Sequence, residues 1–509
     1  MSDYQIAVLD IGKTNKKLFV YDSDLRCLNP AEKGAVIPEV TIDGILCDDM
    51  ASIWRWIIES LRKASETWRK IRCISISAHG ATIALLGEKQ DRYFPGDGGL
   101  VFPVVSYMQQ ITPQEEERFY EDVGEPPGLL QILTATARFG CLINHGKQIH
   151  WLRTRFPERF DEVTGILMYS QYLSYLLCGR KDAIEPTYIG CHGYLLDKDG
   201  AGYSGVAAKL GITDKLPPLP LVPSWHVMGL LTGEIARETG LSPDTIVTVG
   251  VHDSNAAIVP YFITMGNKFI VQDTGTWVVT MTPVDDNRFP MELMGKEIFF
   301  NRSVYGGPVK TTIFRGGAEF DYYRTKVFPQ FPRPAGLDAP LLKRILKRRD
   351  AFILPTVERG SGLYPESPAR IEGVDVVFSD AATAWCVFDL CLAIQGYAGI
   401  NMATHKKRRI ILQGSIVENN PAYASIVASL YEPGTDVAIA HGGGAPYGAA
   451  ILGAAAVEGK SPNDLSGRVG VNLEPVDRLD IDYALFDKYT DRFFERVAPP
   501  PPEERRRRR

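Results

Sequence analysis

One pattern occurs twice in this 509-residue chain, about half a chain apart, and it constrains the fold more than any other feature. The stretches "VLDIGKTNKKLFVY" and "VQDTGTWVVTMTPV" both read strand, Asp, one residue, Gly, Lys or Thr, strand, around Asp10 and Asp273. The first contains Gly-Lys-Thr, the ending of a phosphate-binding P-loop. A P-loop needs another Gly upstream, at the position held here by Ala7. It also needs a helix after the Thr, so that free N–H groups face the phosphates. Leu18, Phe19, Val20 and Tyr21 follow instead, and such residues read as strand. The turn therefore joins two strands. A turn of the same chemistry opening each half predicts a duplicated domain. Two such turns facing each other across a cleft would clamp a polyphosphate from both sides.

The rest of the chain alternates strand and helix signals, so the predicted class is α/β. "CDDMASIWRWIIESLRKASETWRK" has helical spacing, "IRCISISAHGA" reads as a strand ending at His79-Gly80, and "AATAWCVFDLCLAIQGYAGI" as a long helix. "RRIILQGSIVENNPAYASIVASLY" reads as strand, loop, helix, and "DVAIAHGGGAPYGAAILGAAAVEG" as strand, Gly-rich loop, helix. With 56 basic and 61 acidic residues the net charge is −5, so no global basic field points to nucleic acid. No apolar run of membrane-spanning length and no signal peptide are read, and a cytoplasmic location is expected. Eight cysteines without a Cys-x-x-Cys read as small core residues. The tail "APPPPEERRRRR" reads as disordered.

Four segments carry candidate chemistry. In the first turn Gly12 is expected to supply a left-handed conformation. Asp10 at a strand end can hold hydrated Mg²⁺, while Thr14 and Asn15 offer donors to a phosphate, with Lys13, Lys16 or Lys17 adding positive charge. In "VGVHDSNAA", Asp253 ends a buried strand, where α/β folds place their sites, and can accept a proton as a general base. In "QDTGTW", hydroxyls and N–H groups of Thr274, Gly275 and Thr276 can hold phosphates. "LQGSIVENN" can lie against an adenine ring. A helix N-cap aspartate or a plain polar hairpin would explain Asp253 or the first turn taken singly.

Together, in this order and spacing, the segments resemble the FGGY carbohydrate kinases of the actin, hexokinase and heat-shock chaperone superfamily, over residues 4–460. The resemblance implies two actin-like ribonuclease-H-type domains around a cleft. The expected boundaries are residues 1–256 for the sugar-binding domain with the first phosphate loop, 257–495 for the ATP-binding domain, and 496–509 for the tail. It implies transfer of the γ-phosphoryl of Mg-ATP to a sugar hydroxyl, with ATP and Mg²⁺ as cofactors, Asp253 as general base and Asp10 on the metal. Gly12, Thr14, Asn15, Thr274, Gly275 and Thr276 would contact phosphates, and Gly414 and Asn419 would line the adenosine site. The sugar would meet His79, Gly80, His252 and Asp253. The implied partners are a small sugar and ATP, with neither nucleic acid nor membrane, and a homodimer as candidate assembly.

The chain also departs from the family pattern. Many members carry Trp-x-Asp-x-Arg after the sugar strand, whereas "FPVVSYMQQ" stands here, with Tyr107 and Gln109 as candidate sugar contacts. His252 before the base and "FRGGAEF" with Arg315 resemble the rhamnulose and fuculose kinase branch, and Arg315 reads equally as a cleft residue or a surface ion pair. Two rival readings stand beside the sugar kinase: an actin-like ATPase, and a catalytically degenerate sugar sensor.

Overall fold

The computed structural model describes residues 3–30, 33–88, 93 and 99–497. In the N-terminal half, β1 (Gln5–Ile11) pairs antiparallel with β2 (Asn15–Asp22) and parallel with β3 (Ile71–Ala78). β4 (Ile246–Thr248) lies parallel to β3, and short edge strands at Ala35–Val36 and Val227–Leu230 complete the sheet. In the C-terminal half, β5 (Phe269–Thr274) pairs antiparallel with β6 (Val278–Pro283) and parallel with β7 (Arg409–Gln413). β8 (Val437–Ala440) lies parallel to β7. The two halves thus repeat one order: hairpin, then two parallel strands. The central strands "QIAVLDI" and "FIVQDT" are buried nearly throughout, because helices or the other half cover both faces.

Register puts the repeated aspartates in equivalent places. Asp10 lies between Lys17 and Ser77, and Asp273 between Val279 and Gln413. Each is at the C-terminal end of a central parallel strand, where side chains meet a cleft rather than a covering helix.

The helices follow their sequence signals. α1 (Met50–Thr67) is capped by Asp49, which accepts from Ser52 N at 3.0 Å, a contact that stabilises by about 1 kcal/mol. It buries Ile53, Ile57, Leu61 and Ala64, while Trp54, Ile58 and Trp68 pack at the rim. α2 (Asp253–Ala257) starts at the expected break: β4 stops, Gly250 turns at φ 84°, and Val251–His252 resume pairing with β3. α3 (Ala381–Ala403) is apolar on all sides and long enough to cross a membrane, a span that the sequence reading did not register. It is buried nearly throughout in the C-terminal core. Between β7 and helix Pro421–Ser429, the expected loop holds one helical turn, α4 (Ser415–Asn419).

The division into halves is not clean. The expected boundary after residue 256 falls inside α2. α5 (Gly444–Glu458), late in the chain, packs on the N-terminal sheet: Ala449, Ile451, Leu452 and Ala455 join one buried cluster with Ile6, Val8, Cys73 and Val251. Two glycines permit this approach. A Cβ on Gly453 would lie 2.8 Å from Ile6 Cγ2, and one on Gly448 only 1.8 Å from the Ala256 carbonyl oxygen. The last helix, Tyr483–Val497, also runs further than expected. Arg496 pairs with Glu372 at 2.6 Å and Val497 is buried, so both belong to the fold rather than the tail. Residues 498–509 of the expected tail lie outside the described residues. All eight cysteines are free, six of them buried.

Gly448→Ala is expected to cost about 3 kcal/mol by driving α5 off α2. Gly233→Ala, whose added Cβ meets nothing within 4 Å, serves as the neutral control. Urea midpoints of the two variants check this, and equal midpoints would refute the packing argument.

Candidate active site

The parallel strands of the N-terminal sheet deliver Asp10, His79 and Asp253 to one rim. Burial, and then the charge of Asp253, push the Asp10 carboxyl up to about 7, against the pull of Lys17. Burial likewise raises Asp253, although His79 and the Ser254 N–H (2.6 Å) and hydroxyl (3.2 Å) favour its charged form and offset part of that rise. Asp273 is raised by burial and further by Asp253 and Glu418, while Gln413 donates to it at 2.9 Å. Three carboxylates from both halves therefore oppose one another's ionisation. Hard oxygen donors in that state fit a magnesium ion, whose charge would relieve the repulsion.

The first turn is a tight hairpin, but Gly12 does not adopt the left-handed conformation expected of it. Its missing side chain matters for space: a Cβ there would lie 3.0 Å from the Asn15 carbonyl. Thr14 and Asn15 are exposed at the turn's tip. Lys13 folds back, pairing with Asp48 at 2.8 Å and Glu39 at 2.5 Å and standing 4.9 Å over the Tyr107 ring. Lys16 is buried and donates to Lys13 O at 3.0 Å.

In the second turn, the buried Thr274 hydroxyl donates to Gln413 O at 2.7 Å and accepts from Val417 N at 3.2 Å. The Gly275 N–H donates to Trp277 O at 2.9 Å. Both groups expected to face a phosphate are already engaged: the Thr274 hydroxyl holds β5, β7 and α4 together, and the Gly275 N–H closes the turn between β5 and β6. Thr276 alone of the three is exposed. Gly414, at φ 95°, lets α4 touch this turn, because a Cβ there would sit 2.6 Å from Thr274 O.

Asp48 is a site residue that the sequence reading missed. Burial raises its carboxyl, yet the hydrogen bond from His79 and the charges of His79 and Lys13 win and hold it well below the usual range. The His79 ring stands 3.3 Å from Asp48, its carbonyl accepts from Tyr188 OH at 2.6 Å, and Tyr107 meets it edge-on at 5.8 Å. No strand or motif flags Asp48; it stands between a short strand and α1, where it reads as part of a capping pair. Gly80 packs beneath His252, since its Cβ would come within 2.4 Å of His252 Nε2. Burial and then His79 hold His252 neutral, down to about 3. Its Nε2 lies 3.4 Å from Asp253 Oδ1.

From the other half, the Arg315 guanidinium stands 5.3 Å over Trp277 and pairs with Glu358. Trp277 and Tyr107 pack against the same buried cluster, and the Arg315 guanidinium, one member of an ion pair, is near enough for its charge to act on Tyr107. Gln109 does not fit the role expected of it: its Oε1 accepts from Leu46 N at 2.7 Å and its Nε2 donates to Gln110 O at 2.8 Å, so both ends brace the Tyr107 loop. Asn419 lines a cavity of about 350 Å³ beyond α4, with Asp338, Trp385 and Asn420. There Arg333 grips both Asp389 oxygens at 2.9 Å and lies 4.8 Å over Trp385. That volume suits one planar ring system.

Asp10 gives a signed pH dependence. Its folded pKa of about 7 exceeds the unfolded value of about 4. Between these, the folded chain holds a proton that the unfolded chain has released, so without a cation this contribution to stability falls as pH rises. Protons likewise compete with Mg²⁺, whose stabilising effect should fade as pH drops through about 7. Thermal melts with and without Mg²⁺ check both, and Asp10→Asn should flatten both dependences.

The N-terminal domain model of the FGGY family of carbohydrate kinases matches residues 5–260, and the FGGY C-terminal domain model matches residues 266–462. An L-xylulose/3-keto-L-gulonate kinase of Escherichia coli is 27% identical over 244 residues, 46% of this chain and 45% of that one. A rhamnulokinase of Bacteroides thetaiotaomicron is 22% identical over 245 residues, 47% of this chain and 46% of that one. The chain thus matches about half the length of these curated relatives. The structure of a carbohydrate kinase from Novosphingobium aromaticivorans superposes with a TM-score of 0.76 at 27% identity, covering 98% of this chain and 99% of that one. With both domain models matched in order, the chain belongs to the FGGY family of carbohydrate kinases.

Proposed function

We propose that the chain transfers the γ-phosphoryl group of Mg-ATP to a hydroxyl of a ketose or deoxyketose, with Asp253 as general base. The observation that carries this reading is the convergence of Asp10, Asp253 and Asp273, each raised by burial and linked through the Asp253 charge, at the strand ends of both halves. The sugar kinase and rhamnulokinase relatives favour a ketose-like substrate.

In this reading Asp10 holds Mg²⁺, which when bound supplies charge neutralisation to the phosphates. Thr14 and Asn15 on one turn and Thr276 on the other present donors to phosphate oxygens. In this reading the two turns, one from each half, stand on opposite walls of one cleft. Gly414 and Asn419 border the space for adenosine. His79, held by Asp48, together with Tyr107, His252 and Arg315, orients the sugar. Asp253 takes the proton of the attacking hydroxyl as the new bond forms. Its raised pKa makes it a stronger base than an ordinary carboxylate.

A coupled ADP-release screen over ketoses, deoxyketoses, polyols and sugar acids tests the reading. One sugar should stimulate release strongly, and Asp253→Asn should lower its kcat by about 10²–10⁴-fold while ATP binding persists. Near-normal turnover in the variant would remove Asp253 as base. Slow release independent of any sugar would favour an ATPase. Asp48→Asn should raise KM for the sugar more than it lowers kcat, because it frees His79 and Lys13 without touching the base.

A further inference from the structure

Behind the base lies a group of metal ligands in which Cys191 and His192, which the proposed phosphoryl transfer does not use, meet His252. Cys191 Sγ, a ring nitrogen of His192 and a ring nitrogen of His252 all lie within 4.8 Å of one another. Cys191 Sγ stands 2.8 Å from His192 Nδ1 and 3.4 Å from Nε2. Ligands at about 2.1–2.3 Å around a tetrahedral zinc ion sit about 3.5 Å apart, so a contraction of about 1 Å would close the set. Gly80 leaves the room: a Cβ there would approach both His252 Nε2 (2.4 Å) and His192 Cε1 (3.1 Å).

A second observation points the same way. His145 is fully buried, and neither of its ring nitrogens has a hydrogen-bond partner. It stacks on Tyr188, which in turn packs edge-on against His252 at 5.7 Å. Burial and the neighbouring His192 and His252 keep it neutral. An orphaned buried polar group is costly to keep, so it marks a place where a partner is missing. Asn255 Oδ1 is likewise buried and unpartnered, while the Nδ2 of the same amide lies 2.9 Å from His252 Nδ1. Turning that amide over would let Oδ1 accept from Nδ1–H and leave the Nε2 lone pair free to ligate.

We propose that Cys191, His192 and His252, with His145 beside them, form a site for a zinc-like divalent transition metal, and that its occupancy shuts off the sugar site. One thiol and two imidazoles match the donor preference of zinc and not of magnesium. On binding, the S–H bond of Cys191 breaks, the metal–sulfur bond forms, and the proton leaves to solvent. His252 would be drawn from its place 3.4 Å from Asp253 Oδ1, and the pocket in which it orients the sugar would be distorted. This inhibitory half rests on the kinase reading; the metal site does not.

Cobalt titration of the full chain tests the site without any sugar. A single equivalent of Co²⁺ should produce thiolate-to-cobalt absorption in the near ultraviolet, displaced by Zn²⁺. Cys191→Ala should abolish the band, and His192→Gln should weaken binding by more than about tenfold. With the sugar identified by the screen, Zn²⁺ should inhibit turnover, a chelator should restore it, and Cys191→Ala should keep basal turnover and resist zinc. Absence of the band in the wild-type chain would overturn the site, even if the variants fail to fold. Equal zinc sensitivity of wild type and Cys191→Ala would overturn the inhibition. A chain with the band but no sugar-stimulated activity would leave the site standing and the kinase reading fallen.

Discussion

Three partly buried carboxylates that cannot comfortably ionise together set the terms for the rest of this structure. Asp10 and Asp273 occupy matching register positions on the central strands of the two halves, and Asp253 begins the helix after the third parallel strand. Burial in a medium of low polarity raises each of them, and the charge of Asp253 raises the other two further. Such an arrangement stores unfavourable free energy in the folded state. A cation held among these carboxylates would relieve that repulsion.

The fold holds these groups in place by packing backbone against backbone. α5 comes from late in the chain yet rests on the N-terminal sheet, through Gly453 over Ile6 and Cys73 and Gly448 against Ala256. Ala256 belongs to the same short helix as Asp253, so the C-terminal half supports the base of the N-terminal half directly. In the second turn, the Thr274 hydroxyl ties to Gln413 and Val417 while the Gly275 N–H closes the turn onto Trp277 O, which makes that turn a rigid wall with Thr276 at its exposed tip.

Much of this was legible in the sequence because it depends on local rules. The hairpins at Asp10 and Asp273, the strand ending at His79, the break at Gly250 and the helix after Asp253 follow from period-two patterns and turn residues. Other features were not legible, for identifiable reasons. Asp48 is far in sequence from Lys13 and His79, and no local pattern announces that a cap-like aspartate will be buried between them. Gln109 looks like a sugar ligand until Leu46 is seen to take its carbonyl. Thr274 carries the right chemistry, but Gln413 and Val417 reach its hydroxyl first. Gly12 was expected to serve for its backbone freedom, and it serves for its size.

By itself the sequence determined the α/β class, the duplication, and which residue types stand at the strand ends, because strand period, turn chemistry and motif order are properties of neighbouring residues. The tertiary structure alone decided which of those residues are free to act. Burial sets the proton affinity of Asp10, Asp253 and Asp273, the Asp48 pairings fix His79 and Lys13, and Cys191 meets His192 and His252 beside an unpartnered His145. Each of these depends on distances between segments brought together only when both sheets and α5 have packed, and desolvation acts on a group only after that packing is complete.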